Sequence, residues 1–295
     1  MTGAWTTAIF ARTLLAAALA QPAPAAVVVV TESGVPAYAD AIEGLTAGLG
    51  ANLGQIVDLR AATAANSLAR LLEARDTQVV VAVGSRALAQ LRARPASLPV
   101  VATMVPRGAE PEGTGQVDLD VPLGAQLEAV RALLPRASRA GIIRNPARSR
   151  FTAEALGSQA RKEGFTLAVA DCDGPGRLLK AVASLQGRVD FLLCFPDPDL
   201  YNAVTIQPLV LAAIEYRLPI VGFSPAFVRA GAAAGVYPDY RALGRQTAEM
   251  ALRLHRGEAS GGEEYPARLQ VAVNRRVARL LGLDLQIPAG TEVFR

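Results

Sequence analysis

Val79–Ala87 reads VVVAVGSRA, an apolar run that passes through Gly84 and Ser85 directly into a helical stretch ending near Leu91. A continuous apolar run of this length predicts a strand covered on both faces, as in a parallel sheet between helices. Glycine is suited to a tight turn, and the serine can cap the helix that follows. The segment is therefore typical of a strand–turn–helix unit in an α/β protein.

The same alternation of strands and helices continues on both sides of this unit. The apolar runs predict strands at 27–31, 55–59, 78–83 and 98–104, and again at 140–144, 166–171, 189–195 and 219–223. Helical spacing predicts the connecting helices at 37–49, 63–75, 125–134, 152–163, 178–185 and 206–216. Two such sets in succession predict an α/β fold with two doubly wound parallel-sheet lobes.

The C-terminal quarter of the chain adds more than one further unit. It contains predicted strands at 232–236 and 267–274 and predicted helices at 240–256 and 275–281. This is enough chain to return to the first lobe and cross back, so the lobes are expected to be joined by a multi-strand hinge. The division predicted is 27–119 plus 239–258 for lobe 1, and 120–238 plus 259–295 for lobe 2.

Composition excludes several classes of protein. Of the 295 residues 51% are hydrophobic and only 19% are charged, which is unlike a disordered chain. The formal charge of +4 comes from 30 basic and 26 acidic residues that form no stripe, so nucleic acid is not an expected partner. After the N-terminus no apolar run reaches the eighteen or so residues that a membrane span needs.

The N-terminus has the order of a secretory signal. Arg12 precedes the apolar run TLLAAALA at 13–20, and Ala23-Pro24-Ala25 follows. We therefore interpret 1–26 as a signal peptide cleaved near Ala25 or Ala26, which predicts a periplasmic protein. An amphipathic presequence and a frayed N-terminus are the alternatives.

The two cysteines are predicted to be buried thiols. Cys172 and Cys194 follow two predicted strands, and the strand at 140–144 is expected to lie between them. That places the cysteines two strand spacings apart, roughly 9–10 Å, which is beyond the reach of a disulfide. Their spacing does not suggest a zinc site either.

Small hydroxyl residues and glycines recur where the predicted strands end. Ligands of open α/β sheets bind beyond these ends, where helix N-termini favour a carboxylate. The positions are Glu32-Ser33-Gly34, Gly84-Ser85-Arg86, Met104-Val105-Pro106, Arg144-Asn145-Pro146, Phe195-Pro196-Asp197 and Ser224-Pro225. Helix capping alone explains each position, and only their recurrence in both lobes favours a binding site.

Signals of catalysis are weak. The only histidine, His255, is expected to be a solvated residue at the end of a helix, and it completes no Ser/His/acid set. Asp197 and Asp199 could act as acid and base, but between Pro196 and Pro198 they are typical of a turn or an ammonium contact. No phosphate loop or dinucleotide fingerprint occurs, so neither a cofactor nor a metal is expected.

From Val27 to about Leu283 the chain resembles the substrate-binding proteins of ABC transporters, of the tryptophan/tyrosine-binding type. The resemblance rests on an ordered set of segments: VVVAVGSRA at 79–87, Arg144-Asn145-Pro146, Phe195-Pro196-Asp197, LPIVGFS at 218–224 and GVYPDYRALGRQTAEM at 235–250. It implies a type I periplasmic-binding fold, a small molecule bound between the lobes and a membrane permease as partner of a monomer. Carried over by position, the residues that line the pocket are Ser33, Tyr38, Ser85, Asn145, Ser149, Asp197 or Asp199, Ser224 and Tyr237.

The chain departs from the family pattern at some of these places. Met104-Val105 stands where the family has Thr-Asp, and Arg144 stands where it has a tyrosine. Arg144 could pair with a ligand carboxylate or lie at the surface. The function predicted is capture of an amino acid or similar carboxylate for an ABC importer, and a periplasmic sensing subunit of a membrane signalling system is the alternative.

Overall fold

A computed structural model of the protein describes residues 26–94, 98–106, 115–149, 151–258 and 262–295. The predicted signal peptide lies outside these ranges, except for Ala26. Within them, none of the helices combines the length and the apolar character required to cross a membrane.

The observed elements follow the predicted alternation closely. The strands are β1 Val27–Thr31, β2 Leu53–Asp58, β3 Val79–Val83, β4 Val100–Thr103, β5 Gly115–Val117, β6 Arg139–Arg144, β7 Thr166–Asp171, β8 Phe191–Leu193, β9 Ile220–Gly222, β10 Ala234–Pro238, β11 Glu263–Glu264, β12 Leu269–Asn274 and β13 Glu292–Phe294. The helices are α1 Pro36–Leu49, α2 Ala64–Glu73, α3 Ser85–Arg92, α4 Leu123–Leu133, α5 Ala153–Lys162, α6 Leu178–Leu185, α7 Ile206–Glu215, α8 Pro225–Arg229, α9 Tyr240–His255 and α10 Arg275–Leu280. The predictions missed β5, β11, α8 and β13, because segments of two to five residues carry too little periodicity to be recognised.

The strands form two sheets, which confirms the predicted fold class. The first has the order β11-β5-β4-β3-β1-β2 and the second β13-β12-β10-β9-β8-β6-β7. All pairs are parallel except β10 with β12. The valines of β1 and β3 alternate between two buried clusters, one beneath α1 and α9 and the other beneath α2 and α3. Burial on both faces explains why these strands read as unbroken apolar runs.

The chain passes between the sheets three times. It leaves the first sheet after β5, returns from β10 into α9, and leaves again between β11 and β12. The sequence analysis assigned 259–295 to lobe 2, but β11 pairs with β5 and so belongs to the first sheet. The reason is that α9 packs on the first sheet, so the chain emerges beside β5 and adds an edge strand before it crosses.

Two glycines allow α9 to join the first sheet. A Cβ built on Gly244 of α9 would lie 1.9 Å from the carbonyl oxygen of Ala41, and one on Gly44 of α1 would lie 2.0 Å from that of Arg241. The two helices therefore touch backbone to backbone, at a distance that no larger residue permits. This contact fixes the position of α9 against α1.

We predict that Gly244→Ala destabilises the protein, because its methyl group must push the two backbones apart. Overpacking of this kind costs about 1–3 kcal/mol in the free energy of unfolding, which urea denaturation measures. Gly157→Ala in α5 is the matched control. A Cβ at position 157 would meet only the end of the flexible Arg161 side chain, at 3.5 Å. The higher helix propensity of alanine should therefore raise the free energy of unfolding of this variant by about 0.5–1 kcal/mol. Equal effects of the two substitutions would contradict the packing described here.

The strand order confirms that β6 lies between the strands that precede the two cysteines. Cys172 and Cys194 are both buried and unpaired. Burial raises the pKa of the Cys194 thiol from about 9 to about 12, against a smaller opposing effect of its hydrogen bond with Tyr201.

The raised pKa of Cys194 predicts that the folded protein loses stability at alkaline pH. Between pH 9 and pH 12 Cys194 stays protonated in the folded state and ionises in the unfolded state, so the free energy of unfolding falls as pH rises. One proton corresponds to about 1.4 kcal/mol per pH unit. We expect the free energy of unfolding to fall less steeply between pH 9 and pH 10 in Cys194→Ala than in the wild type, as measured by urea denaturation at each pH. The same slope in both proteins would contradict the prediction.

Candidate functional site

At the C-terminal edge of the first sheet, Tyr38 packs over the turn after β3. A Cβ built on Gly84 would lie 2.5 Å from the hydroxyl oxygen of Tyr38, and the φ of Gly84 is +92°. Only glycine combines this backbone conformation with such a close contact. Ser85 follows at the exposed first position of α3. The structure thus places Tyr38 against the turn that leads into Ser85, and a contact of either residue with a ligand stays a prediction.

An ion cluster surrounds the neighbouring turn after β1. The carboxylate of Glu32 accepts hydrogen bonds from Arg60 Nε at 3.0 Å and Arg86 Nη1 at 2.9 Å. The hydrogen bond from Arg60, assisted by the positive charge of Arg86, lowers the pKa of Glu32. Sequence reasoning missed Arg60 because it considered no residues after β2.

Asp58 holds Ser33 in this turn. Its Oδ1 accepts hydrogen bonds from the backbone N–H groups of Arg60 and Ser33, each at 3.0 Å. These bonds lower the pKa of Asp58 and keep it ionised. The predicted residue Ser33 is therefore exposed but fixed in position.

The strands on either side of β3 each end in a buried threonine. Thr31 of β1 and Thr103 of β4 are buried, and neither Oγ1 has a hydrogen-bond partner among the described residues. Met104, the next residue after β4, has a φ of +57°, which is a strained conformation for methionine. Unpaired buried groups and backbone strain are features that concentrate at binding sites.

At the edge of the second sheet, the loops after β6 and β8 are joined by an ion pair. Arg148 Nη1 lies 2.9 Å from Asp199 Oδ2, with both side chains about half-exposed. Asn145 Oδ1 accepts from the N–H of Ala147, and Asp197 Oδ1 accepts from the N–H of Asp199 at 2.9 Å. The structure therefore brings the loops of Asn145, Asp197 and Asp199 together. An oxygen of Asn145 and an oxygen of Asp197 already fix their own loops, and a carboxylate oxygen of Asp199 is paired with Arg148.

Two predicted residues of this edge have partners within the protein. Ser149 Oγ donates to the carbonyl oxygen of Phe151 at 3.0 Å. Arg144 Nε donates to Asp171 Oδ1 at 2.7 Å, and Arg144 Nη1 donates to the Phe151 carbonyl oxygen at 2.7 Å. The Arg144 side chain is only 15% exposed. It thus pairs with a carboxylate of the protein and is neither free at the surface nor available to a ligand carboxylate.

Tyr237 is buried within β10, and its hydroxyl group donates to Glu292 Oε2 at 2.7 Å. Burial, together with the carboxylate of Glu292, raises the pKa of Tyr237 well above its usual value. Glu292 belongs to β13, a strand that the sequence analysis did not predict. A contact between Tyr237 and a ligand stays a prediction, and its hydroxyl group would have to exchange this partner.

A cavity of about 140 Å³ lies where the two sheets are connected. We call it the hinge cavity, and its lining residues are Leu119, Val121, Gln126, Pro196, Phe223, Ser224, Val236, Pro238 and Tyr240. These residues follow β5 of the first sheet and β8, β9 and β10 of the second, or belong to β10 and to the first turns of α4 and α9. The C-terminal ends of strands from both sheets therefore meet at this cavity.

Ser224 is the one predicted site residue that lines the hinge cavity. Its Oγ accepts from the N–H of Phe227 at 3.2 Å and so caps α8. Sequence reasoning missed Gln126, Phe223 and Tyr240. Phe223 could have been inferred because it precedes Ser224 in the sequence. Gln126 and Tyr240 line the same cavity as Ser224 only because the chain crosses between the sheets.

Among the described ranges, no group of three or more His, Cys, Asp or Glu side chains is placed to hold a metal ion. His255 ends α9 as predicted, but it is half-buried, and its Nδ1 is enclosed without a partner in the described part of the chain. The expectation of a solvated histidine was wrong in this respect.

Comparison with known proteins identifies a family. A family model described as "ABC transporter substrate binding protein" matches residues 26–286. A curated "Tyrosine-binding protein" of Clostridioides difficile is 27% identical over 162 residues. That alignment covers 54% of this chain and 46% of the relative, so the chain spans about half the length of the curated relative it matches.

Solved structures share the fold. The ligand-free, open structure of a substrate binding protein with adhesive properties from Clostridium difficile has a TM-score of 0.69 at 19% identity, covering 91% of this chain and 98% of that one. A Streptococcus structure in complex with L-Trp has a TM-score of 0.58 at 19% identity, covering 91% and 100% of the two chains. The two sheets and their connections are those of a type I periplasmic binding protein.

Proposed function

Since the chain belongs to the ABC transporter substrate-binding protein family, we propose that it captures a small molecule between its two lobes for an ABC importer. The ligand proposed is an amino acid or a similar small carboxylate. The lobes proposed are those predicted from the sequence, with β11 added to the first.

The observation that supports this proposal is the shared cavity at the strand ends. Strands of both sheets direct their C-terminal ends toward the hinge cavity, and open α/β sheets bind ligands beyond such ends. A ligand placed there contacts both lobes at once. Closure of the lobes then adds contacts that the open form lacks, so ligand shifts the equilibrium toward the closed form.

The first-sheet edge offers groups for a carboxylate. Ser85 is exposed at the N-terminus of α3, where unpaired backbone N–H groups and the helix dipole favour an anion. The adjacent Tyr38 is partly buried, and burial raises the pKa of its phenol, which stays protonated and able to donate at neutral pH. We assign the ligand carboxylate to these two residues, and its ammonium group to the edge that carries Asn145, Asp197 and Asp199.

The relatives support an amino acid as the ligand. One relative is named for binding tyrosine and one structural neighbour holds L-Trp. The proposal also includes export, with 1–26 removed as a signal peptide, and delivery by a monomer to a membrane permease. The protein itself performs no reaction in this scheme, because closure and release require no chemical step.

We predict one-site binding of an L-amino acid in isothermal titration against the twenty standard amino acids. Ser85→Ala should weaken that affinity by about tenfold or more, because a hydrogen bond to a charged group contributes about 1.5–3 kcal/mol. Ser158→Ala, at an exposed position of α5, is the matched control and should bind normally.

A folded protein that gives no heat with any amino acid would contradict the ligand class proposed. An equal loss in both serine variants would contradict the position assigned to the carboxylate.

A further inference from the structure

Tyr240 lies where the two lobes and the hinge cavity meet. It is the first residue of α9, and its side chain packs against the buried cluster beneath α1 and α9 of the first sheet. It also packs against a small cluster of the second sheet, formed by Val228, Tyr237 and Ala272. Because Tyr240 lines the hinge cavity as well, the position of this one ring affects both the cavity and the contact between the lobes.

Tyr237 supports that ring from behind the cavity wall. In β10, Val236 and Pro238 line the cavity, so the side chain of Tyr237 between them points to the opposite face of the strand. There the centroid of its ring lies 5.8 Å from that of Tyr240, with the two planes inclined at 30°. At this separation two aromatic rings attract each other.

The contact between the two rings spans the second connection between the sheets. Tyr237 belongs to β10 of the second sheet, Tyr240 begins α9 on the first, and only Pro238 and Asp239 separate them. A movement of the lobes that turns the chain at these two residues must either keep or break the contact. The tyrosine pair is therefore part of the hinge.

Glu292 holds the Tyr237 end of this pair. Tyr237 is only 3% exposed, and its hydroxyl group donates to Glu292 Oε2 at 2.7 Å. A hydrogen bond to a charged acceptor is stronger than one between neutral groups, and a buried hydroxyl group that lost it would have to move to find another partner. Glu292 itself is exposed and belongs to β13, at the edge of the second sheet. A surface carboxylate is thus linked through two rings to the hinge cavity.

We propose that Glu292 is a positioning residue of the binding cleft. It fixes the hydroxyl group of Tyr237, and the ring of Tyr237 fixes that of Tyr240 in the wall of the hinge cavity. This inference rests on the proposed function, because it requires the lobes to close on a ligand about the second connection. It assigns to β13 a part in ligand binding that needs no contact with the ligand.

Fluorine NMR tests the link between the residues without a ligand. The chain contains six tyrosines, and labelling with 3-fluorotyrosine gives each a signal that substitution by phenylalanine assigns. Glu292→Ala should shift the signals of Tyr237 and Tyr240 and leave the other four in place. Glu292→Gln keeps an acceptor oxygen and should return the Tyr240 signal toward its wild-type position. An unmoved Tyr240 signal in Glu292→Ala would overturn the proposal.

Thr291→Val is the matched control. Thr291 precedes Glu292, and its Oγ1 donates to the carbonyl oxygen of Pro288 at 2.8 Å. The substitution therefore removes a hydrogen bond beside β13 without removing the acceptor of Tyr237. It should lower the melting temperature and leave the Tyr240 signal unmoved. If it moves that signal as far as Glu292→Ala does, general loosening of β13 explains the shift and the proposal is wrong.

Calorimetric titration with the twenty standard amino acids tests the role in binding. Glu292→Ala should weaken the binding of each amino acid that the wild type binds by about threefold to thirtyfold, the range of couplings carried through packed side chains. Tyr237→Phe frees the same ring and should weaken binding similarly. The double variant should bind no more weakly than either single variant, because both substitutions remove the same hydrogen bond. Additive losses would overturn the path through Tyr237.

The outcomes separate this inference from the function on which it rests. A shifted Tyr240 signal without heat from any amino acid contradicts the proposed function, and the role of Glu292 in binding with it, while the link from Glu292 to Tyr240 stands. A shifted signal with unchanged affinity in Glu292→Ala overturns the role of Glu292 in binding and leaves the proposed function intact.

Discussion

The backbone contact between α1 and α9 is the constraint on which the arrangement of the two lobes depends. Gly44 and Gly244 let the helices approach until side chains are excluded between them. The contact draws the chain out of the second sheet after β10 and back onto the first. From that position the chain must cross again to complete the second sheet, so the second and third connections follow from this path.

Those connections also create the hinge cavity. Leu119 and Val121 come from the first connection, and Pro238 and Tyr240 from the second. A movement of the lobes about these segments therefore changes the cavity directly. A ligand group held there would stabilise one arrangement of the lobes over the others, which is the physical basis of capture by closure.

The polar residues at the two sheet edges divide into two kinds. Some have all or part of their hydrogen-bonding capacity used within the protein, as Arg144 does with Asp171 and Asp197 with the N–H of Asp199. Others, such as Ser85, are exposed, and Thr103 and Gln126 contain buried atoms that have no hydrogen-bond partner in the described part of the chain. Under the proposed function, the first kind would hold the loops in position before a ligand arrives, which would reduce the entropy lost on binding. The second kind leaves hydrogen-bonding groups that a ligand or water can pair with.

The sequence by itself determined the two sheets and most of their elements, because apolar runs and helical spacing report burial directly. It also predicted that Ser85 and Asn145 follow strands at the C-terminal edges of the sheets, since the C-terminal ends of parallel strands share one edge. Tyr38 entered only through the family resemblance. Only the tertiary structure decided that β11 joins the first sheet, that Glu292 binds Tyr237 and that Gln126 lines the hinge cavity. Each of these depends on residues far apart in the chain, and local patterning contains no information about which distant segment completes a site.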